Sequence, residues 1–198
     1  IARSGRIGDV RSITGYFSFY MDDPANIRHV KAWGGGGILD IGCYLVNTAR
    51  MIFESEPRRV CALIEETRET GVDWLASLIM DFGGRHAVGT CSTQLAHAQR
   101  ITIAGTSGRV EVEIPFNAPL DRPCRIFVED SPPGAVPDRH TIEFETCNQY
   151  TIQGDRFSEA AMNGTAAPYP LEDSVKNMRV IDALFRSGAS GSWENIER

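Results

Sequence analysis

Between Arg59 and Ile114 the chain is a succession of short alternating runs separated by tight glycine turns, and that spacing leaves few folds open. Arg59–Thr67, Val72–Phe82, His86–Leu95, Gln99–Ala104 and Arg109–Ile114 carry the strand signals. Gly83-Gly84 and Gly105-Thr106-Ser107-Gly108 are connections of hairpin length. Strands joined so closely pair antiparallel, because a parallel neighbour needs a crossover of about a dozen residues or more. Residues 10–20 add an earlier strand, with Ile13, Gly15, Phe17 and Phe19 on one face and Thr14, Tyr16, Ser18 and Tyr20 on the other. Cys124–Glu129 and His140–Thr146 read as two more, on either side of the breaker-rich loop Ser131-Pro132-Pro133-Gly134.

Three segments change period. After the irregular stretch Met21–Lys31, Trp33 and four consecutive glycines, Gly34–Gly37, the residues Ile38, Ile41, Leu45, Ala49 and Ile52 recur at helical spacing. This predicts an amphipathic helix over about 37–54, stopped near Ser55 and Pro57. A second helix is expected over 149–163, burying Ile152, Phe157, Ala160 and Ala161, with Asn148 as its cap and Asn163-Gly164 as its end. The third opens after Pro170 with Glu172 and Asp173 in its first turn, buries Leu171, Val175, Met178, Ile181 and Phe185, and ends with Arg186 before Gly188. Helices segregated from a run of strands make the chain α+β: an open, mostly antiparallel sheet with helices on one face. Without an internal repeat or linker, residues 1–198 read as one domain. Both faces of the Val72–Phe82 strand carry apolar side chains, so the uncovered sheet face is expected to meet a second copy of the chain.

Composition narrows the partners. Hydrophobic residues make up 42% and charged residues 23%, which suits a folded globular chain. The net charge of -6 weighs against nucleic acid or an anionic membrane as partner, and no apolar run is long enough to span a bilayer. Five cysteines without a C-x-x-C pair read as buried reduced thiols of a cytoplasmic protein. The four histidines show no metal-ligand spacing, so no metal is expected. The first residues, Ile1-Ala2-Arg3-Ser4, carry no Met, and an N-terminal part is expected to precede them in the full protein.

Chemistry concentrates where the glycines meet the first helix. No G-x-G-x-x-G turn occurs, and Gly37 and Gly42 lack the Lys and Ser/Thr of a phosphate loop, so the chain alone is not expected to bind a nucleotide measurably. Asp40 and Tyr44, four apart, share the helix side opposite the Ile38–Ile52 stripe with Asn47, Thr48 and Met51. A tyrosine hydroxyl there can give or take a proton if a cation lowers its pKa, and the carboxylate can bind a substrate hydroxyl. The same pair also suits first-turn dipole matching and half-buried packing.

Gly35-Gly36-Gly37-Ile38-Leu39-Asp40-Ile41-Gly42-Cys43-Tyr44 resembles the glycine-rich D-x-G-x-[HY] signature of the Gfo/Idh/MocA oxidoreductases. Ile103–Arg109, Asn148-Gln149-Tyr150 and Pro170–Ser174 look like segments of the same family in the same order. The resemblance implies the C-terminal α+β domain of a two-domain enzyme whose Rossmann half, with its E-K-P lysine, lies outside this chain. It implies hydride transfer between a substrate carbinol and NAD or NADP. Asp40 and Tyr44 fall at the catalytic positions, and Gly36 and Gly37 are the candidate cofactor contacts. Tyr at the last signature position resembles the branch of glucose-fructose oxidoreductase, sugar dehydrogenases and dihydrodiol dehydrogenase, which implies a sugar or cyclic polyol as the small-molecule substrate. The competing reading is a ligand-sensing or regulatory protein of the same fold. Arg28, Trp33, Asn148, Gln149 and Tyr150 stay outside the catalytic set.

Overall fold

The computed structural model describes residues 1–132 and 134–197. It contains one nine-stranded sheet in the order β8-β7-β6-β5-β1-β4-β3-β2-β9. The strands are β1 (Val10–Tyr20), β2 (Arg59–Glu66), β3 (Asp73–Asp81), β4 (His86–Ser92), β5 (Gln94–Gly105), β6 (Gly108–Val112), β7 (Cys124–Asp130), β8 (Asp138–Phe144) and β9 (Glu194–Asn195). The helices are α1 (Cys43–Phe53), α2 (Gln149–Asn163) and α3 (Leu171–Ser190). The α+β class with a mostly antiparallel open sheet is therefore observed. Pro133, in the loop before β8, lies outside the described residues.

One pairing escapes any hairpin argument. The connection from β4 to β5 is the single residue Thr93, yet the two strands do not pair. β1 is inserted between them, antiparallel to β5 and parallel to β4. Gly15 of β1 and Gly89 of β4 are register partners, and a Cβ on either would stand 2.6 or 2.8 Å from a Leu45 methyl. The two glycines open a seat in the sheet face into which α1 drops Leu45, which is buried. Burying such a side chain stabilises by about 1.5–3 kcal/mol.

Four sequence expectations for the helices need correction. α2 buries only Ala160; Ile152 and Phe157 are 47% and 66% exposed, so its apolar residues stay on the surface. The sheet face is covered by α1 and α3, not by three helices. The buried stripe of α3 is Asn177, Val180, Ile181, Ala183, Leu184 and Ser187, whereas Leu171, Val175 and Met178 are exposed. The physical reason lies in the small and polar members of that stripe. Ser187 Oγ accepts from Ala62 N and donates to Ser192 O, and a Cβ on Gly188 would stand 2.5 Å from Ile64, so α3 presses closely on β2. Gly188 is thus inside the helix, which runs to Ser190 and ends on Gly191 at φ 65°.

Asn148 caps α2 by accepting from Tyr150 N and Thr151 N, and Gly164 ends it at φ 62°, both as expected. Of the cysteines, all free, only Cys91 is buried and Cys147 is exposed, which corrects the uniform burial expected. No helix among the described residues is long and apolar enough to cross a membrane.

The other sheet face divides in two. Around β2, β3 and β4 it shows Leu63, Ile79 and Val88, exposed by 69%, 39% and 41%. Around β5 to β8 it is a grid of ion pairs, Arg100–Glu111 at 2.9 Å and Arg109–Glu129 at 2.8 Å, with the Arg139 guanidinium 4.6 Å from the Phe127 ring centroid.

Candidate active site

The four glycines form a tight reversal before the helix. Gly34 at φ 76° closes a 3₁₀ turn, and Gly35 N and Gly36 N donate to Val30 O and Arg28 O. Gly36 adopts φ 112°, a region suited to glycine, and a Cβ there would collide with Asp73 Oδ1. On Gly37 it would stand 3.3 Å from Asp73 Oδ2. Asp73 is the reason for this close approach: its buried carboxylate accepts from Ile38 N at 2.6 Å. Burial pushes the Asp73 carboxyl above its ordinary pKa, and backbone N–H donors, Ile38 first, act against that.

The expected helix over 37–54 begins with a π turn, Ile38–Gly42, before α1. Such turns are frequent at functional sites. Asp40 lies within it, and Arg28 Nε donates to Asp40 Oδ2 at 2.7 Å. The Arg28 guanidinium also sits 5.6 Å from the Phe19 ring centroid. The arginine left outside the catalytic set by sequence is therefore the partner of the carboxylate placed inside it.

Tyr44 is 48% exposed, with its ring packed against two others: Phe17 at 5.9 Å and Phe116 at 5.5 Å between centroids. Phe17 and Phe116 stack on each other at 4.9 Å and 20°. Burial pushes the Tyr44 phenol above its ordinary pKa; Cys43, Tyr150 and Asp40 add to the rise, and Arg28 opposes it. Within this chain Tyr44 is thus a neutral phenol near pH 7, a proton donor. The adjacent Cys43 thiol is pushed up to about 11, chiefly by burial, and offers no thiolate.

The helix bearing these groups is fixed at its far end by a side chain the sequence reading passed over. Arg50 is 4% exposed; it donates to Glu56 Oε2 at 2.7 Å, Asp173 Oδ1 at 2.8 Å and Asn177 Oδ1 at 3.2 Å. Asn177 Nδ2 in turn donates to Cys43 O, and Asn47 Nδ2 to Asp173 Oδ2. The signal was present: Arg50 stands three before Phe53 and four after Val46, squarely on the buried stripe. Asp173, read only as a dipole match, is its anchor on α3.

The structure therefore pairs Arg28 with Asp40, which stands four residues before Tyr44 in the same helical run. It places Gly36 and Gly37 just before them, backed by Asp73, and leaves Trp33 72% exposed. Phe116 was invisible to sequence, since residues 113–123 show no periodic pattern. Among the described residues no group of three or more His, Cys, Asp or Glu is arranged to hold a metal ion.

An open sheet carrying an Asp–Tyr helix behind a glycine turn defines a class of domain, and residues 1–111 match the family model of the GFO/IDH/MocA C-terminal domain. The chain belongs to the Gfo/Idh/MocA oxidoreductase family. It is 38% identical over 197 residues to an uncharacterized oxidoreductase of Rhizobium meliloti, covering 99% of this chain and 59% of that protein. It is 31% identical over 196 residues to the D-xylose 1-dehydrogenase (NADP(+)) 2 of Haloferax volcanii, covering 98% and 58%. Among solved structures, the aldose-aldose oxidoreductase from Caulobacter crescentus complexed with glycerol superposes with a TM-score of 0.85 at 25% identity, covering 98% of this chain and 57% of that one. The chain thus spans less than three fifths of the length of each of these relatives.

Proposed function

We propose that residues 1–198 are the substrate-binding and dimerisation domain of a cytoplasmic NAD(P)-dependent oxidoreductase acting on the CH–OH group of a sugar or cyclic polyol. The observation that carries this reading is the Arg28–Asp40 pair beside the half-exposed Tyr44, on a helix locked at both ends. The resemblance to a D-xylose dehydrogenase and an aldose-aldose oxidoreductase supports the substrate class.

Tyr44 donates its hydroxyl proton to the carbonyl oxygen when the substrate is reduced and takes it back when the carbinol is oxidised. The second direction needs a phenolate, which burial disfavours and which, among the described residues, Arg28 favours. Oxidation near neutral pH therefore calls for a further cation, supplied from outside this chain. Asp40, oriented by Arg28, accepts a hydrogen bond from a substrate hydroxyl and fixes the reacting carbon relative to Tyr44. NAD or NADP, when bound, takes or gives the hydride. On this chain only Gly36 and Gly37 are assigned to it, through their peptide backbone, because Asp73 fills the space a Cβ would take. The main cofactor contacts are assigned outside this chain. Leu63, Ile79 and Val88 on the open sheet face form the self-association surface.

The test is NAD(P)-dependent oxidation of D-xylose, D-glucose and myo-inositol by the full-length protein. Tyr44→Phe keeps the ring packing and removes the proton, and should lower kcat by roughly 10²–10⁴-fold. Asp40→Asn should mainly raise KM. Full turnover by Tyr44→Phe would show that the phenol is packing only.

A further inference from the structure

The loop from β6 to β7, residues 113–123, has no regular structure, yet its centre is tied down by two side-chain amides. Gln99 on β5, 9% exposed, accepts with Oε1 from both Phe116 N at 2.9 Å and Asn117 N at 3.0 Å. Gln149, the first residue of α2, donates from Nε2 to Phe116 O at 3.0 Å and accepts from Ala118 N at 3.3 Å. Asn148 caps the same helix and so fixes where Gln149 stands. Four hydrogen bonds thus hold the backbone of three consecutive residues. Backbone polar groups of an irregular loop are ordinarily left to water. Here two glutamines from separate elements are spent on one short stretch, and what they hold in place is the Phe116 ring, stacked on Phe17 and against Tyr44.

Phe17 is buried in the sheet and its position follows from the strand ladder. Phe116 is only partly buried and belongs to a loop, so no strand ladder fixes its backbone and the clamp supplies that restraint. We propose that Phe116 is the specificity-determining residue of the site: its ring, packed against the Tyr44 ring, is a wall that limits the size of the substituent a substrate sugar carries on its ring. Gln99 and Gln149 are positioning residues that hold this wall. The proposal rests on Tyr44 being the proton-transferring group. A fixed apolar wall discriminates by volume, and one extra carbon in such a pocket is worth about 10- to 200-fold in kcat/KM.

The experiment compares D-xylose and D-glucose, which differ by one hydroxymethyl group, as substrates of the full-length protein with its preferred cofactor. Phe116→Ala should shift the ratio of kcat/KM values toward D-glucose by about tenfold or more, with Phe116→Leu moving it less in the same direction. Gln99→Ala should shift the ratio likewise. Gln99→Glu, which keeps an acceptor for both N–H groups, should restore it. Because a ratio of two substrates on one preparation is independent of the fraction folded, a purely structural clamp would lower thermal stability and leave the ratio alone. That result, or a ratio unmoved within about twofold in both Phe116 variants, overturns the proposal while leaving the dehydrogenase reading intact. A wild-type protein inactive on both sugars overturns the sugar reading and this proposal together.

Discussion

Replacing Arg50 with Met tests whether the α1–α3 clamp stabilises the fold. Methionine keeps an unbranched stem in the space between the helices and removes only the guanidinium. The full penalty for breaking a buried ion pair is about 3–5 kcal/mol, because a charge is stranded away from water. Here the stranded partners are not fully buried: the side chains of Glu56 and Asp173 are 41% and 33% exposed and can rehydrate. Asn177, 9% exposed, cannot, and its Oδ1 loses its donor. An unsatisfied buried acceptor costs about 1–3 kcal/mol, and the two weakened carboxylate contacts add a fraction of the pair penalty, so about 2–3 kcal/mol in total is expected. The desolvation cost of Arg50 is relieved by the substitution, which keeps the sum below the upper limit. For a chain of this size 1 kcal/mol moves Tm by about 2–4 °C, so Tm should fall by roughly 4–12 °C. Thermal melts and urea unfolding followed by two probes measure it. A loss below about 0.5 kcal/mol, or a gain, would refute the reasoning and show that the guanidinium's burial cost equals its hydrogen bonding.

Other outcomes follow from surface charge and the open sheet. Asp81, Glu113 and Asp130 have carboxyl pKa values held below the ordinary range, first by Gly83 N–H with Arg59, by Arg125 and by Arg6 respectively. A depressed carboxylate stabilises above its unfolded pKa and loses that contribution as pH falls through its folded value, so stability should decline below about pH 4. Asp81→Asn should flatten that decline in urea titrations, and an unchanged slope would exclude Asp81 as a source. Asp73, with its pKa raised, acts in the opposite sense, costing stability as pH rises through the carboxylate range. On the open face, sedimentation at micromolar concentration should show a self-associated species that Leu63→Lys with Val88→Lys converts to monomer; a wild-type monomer would remove the self-association proposal.

The α+β class, the antiparallel majority and the helix after the glycine run, which carries Asp40 and Tyr44, were legible because each rests on local periodicity or on a short contiguous motif. A period of two separated by hairpin-length turns leaves an antiparallel sheet as the main solution, whatever packs on it. Likewise Gly164 and Asn148 act within a few residues of themselves, so their capping roles needed no knowledge of the rest of the chain.

What tertiary structure decided concerns groups far apart in the chain. β1 slips between β4 and β5 because strand order is settled by long-range registry, such as Gly15 against Gly89 under Leu45, which no window of sequence contains. Which face of α3 is buried depended on whether small and polar side chains met partners, and Asn177 and Ser187 found theirs on α1 and β2. Apolar spacing therefore misled where hydrogen bonding made polar burial cheap. Arg28 and Phe116 reached the site by the same route: 12 residues separate Arg28 from Asp40, and a loop with no pattern delivers Phe116 to Tyr44. Local sequence determined which residues form the candidate site, and only the folded chain, by satisfying charges and hydrogen bonds across distant segments, decided which neighbours surround them.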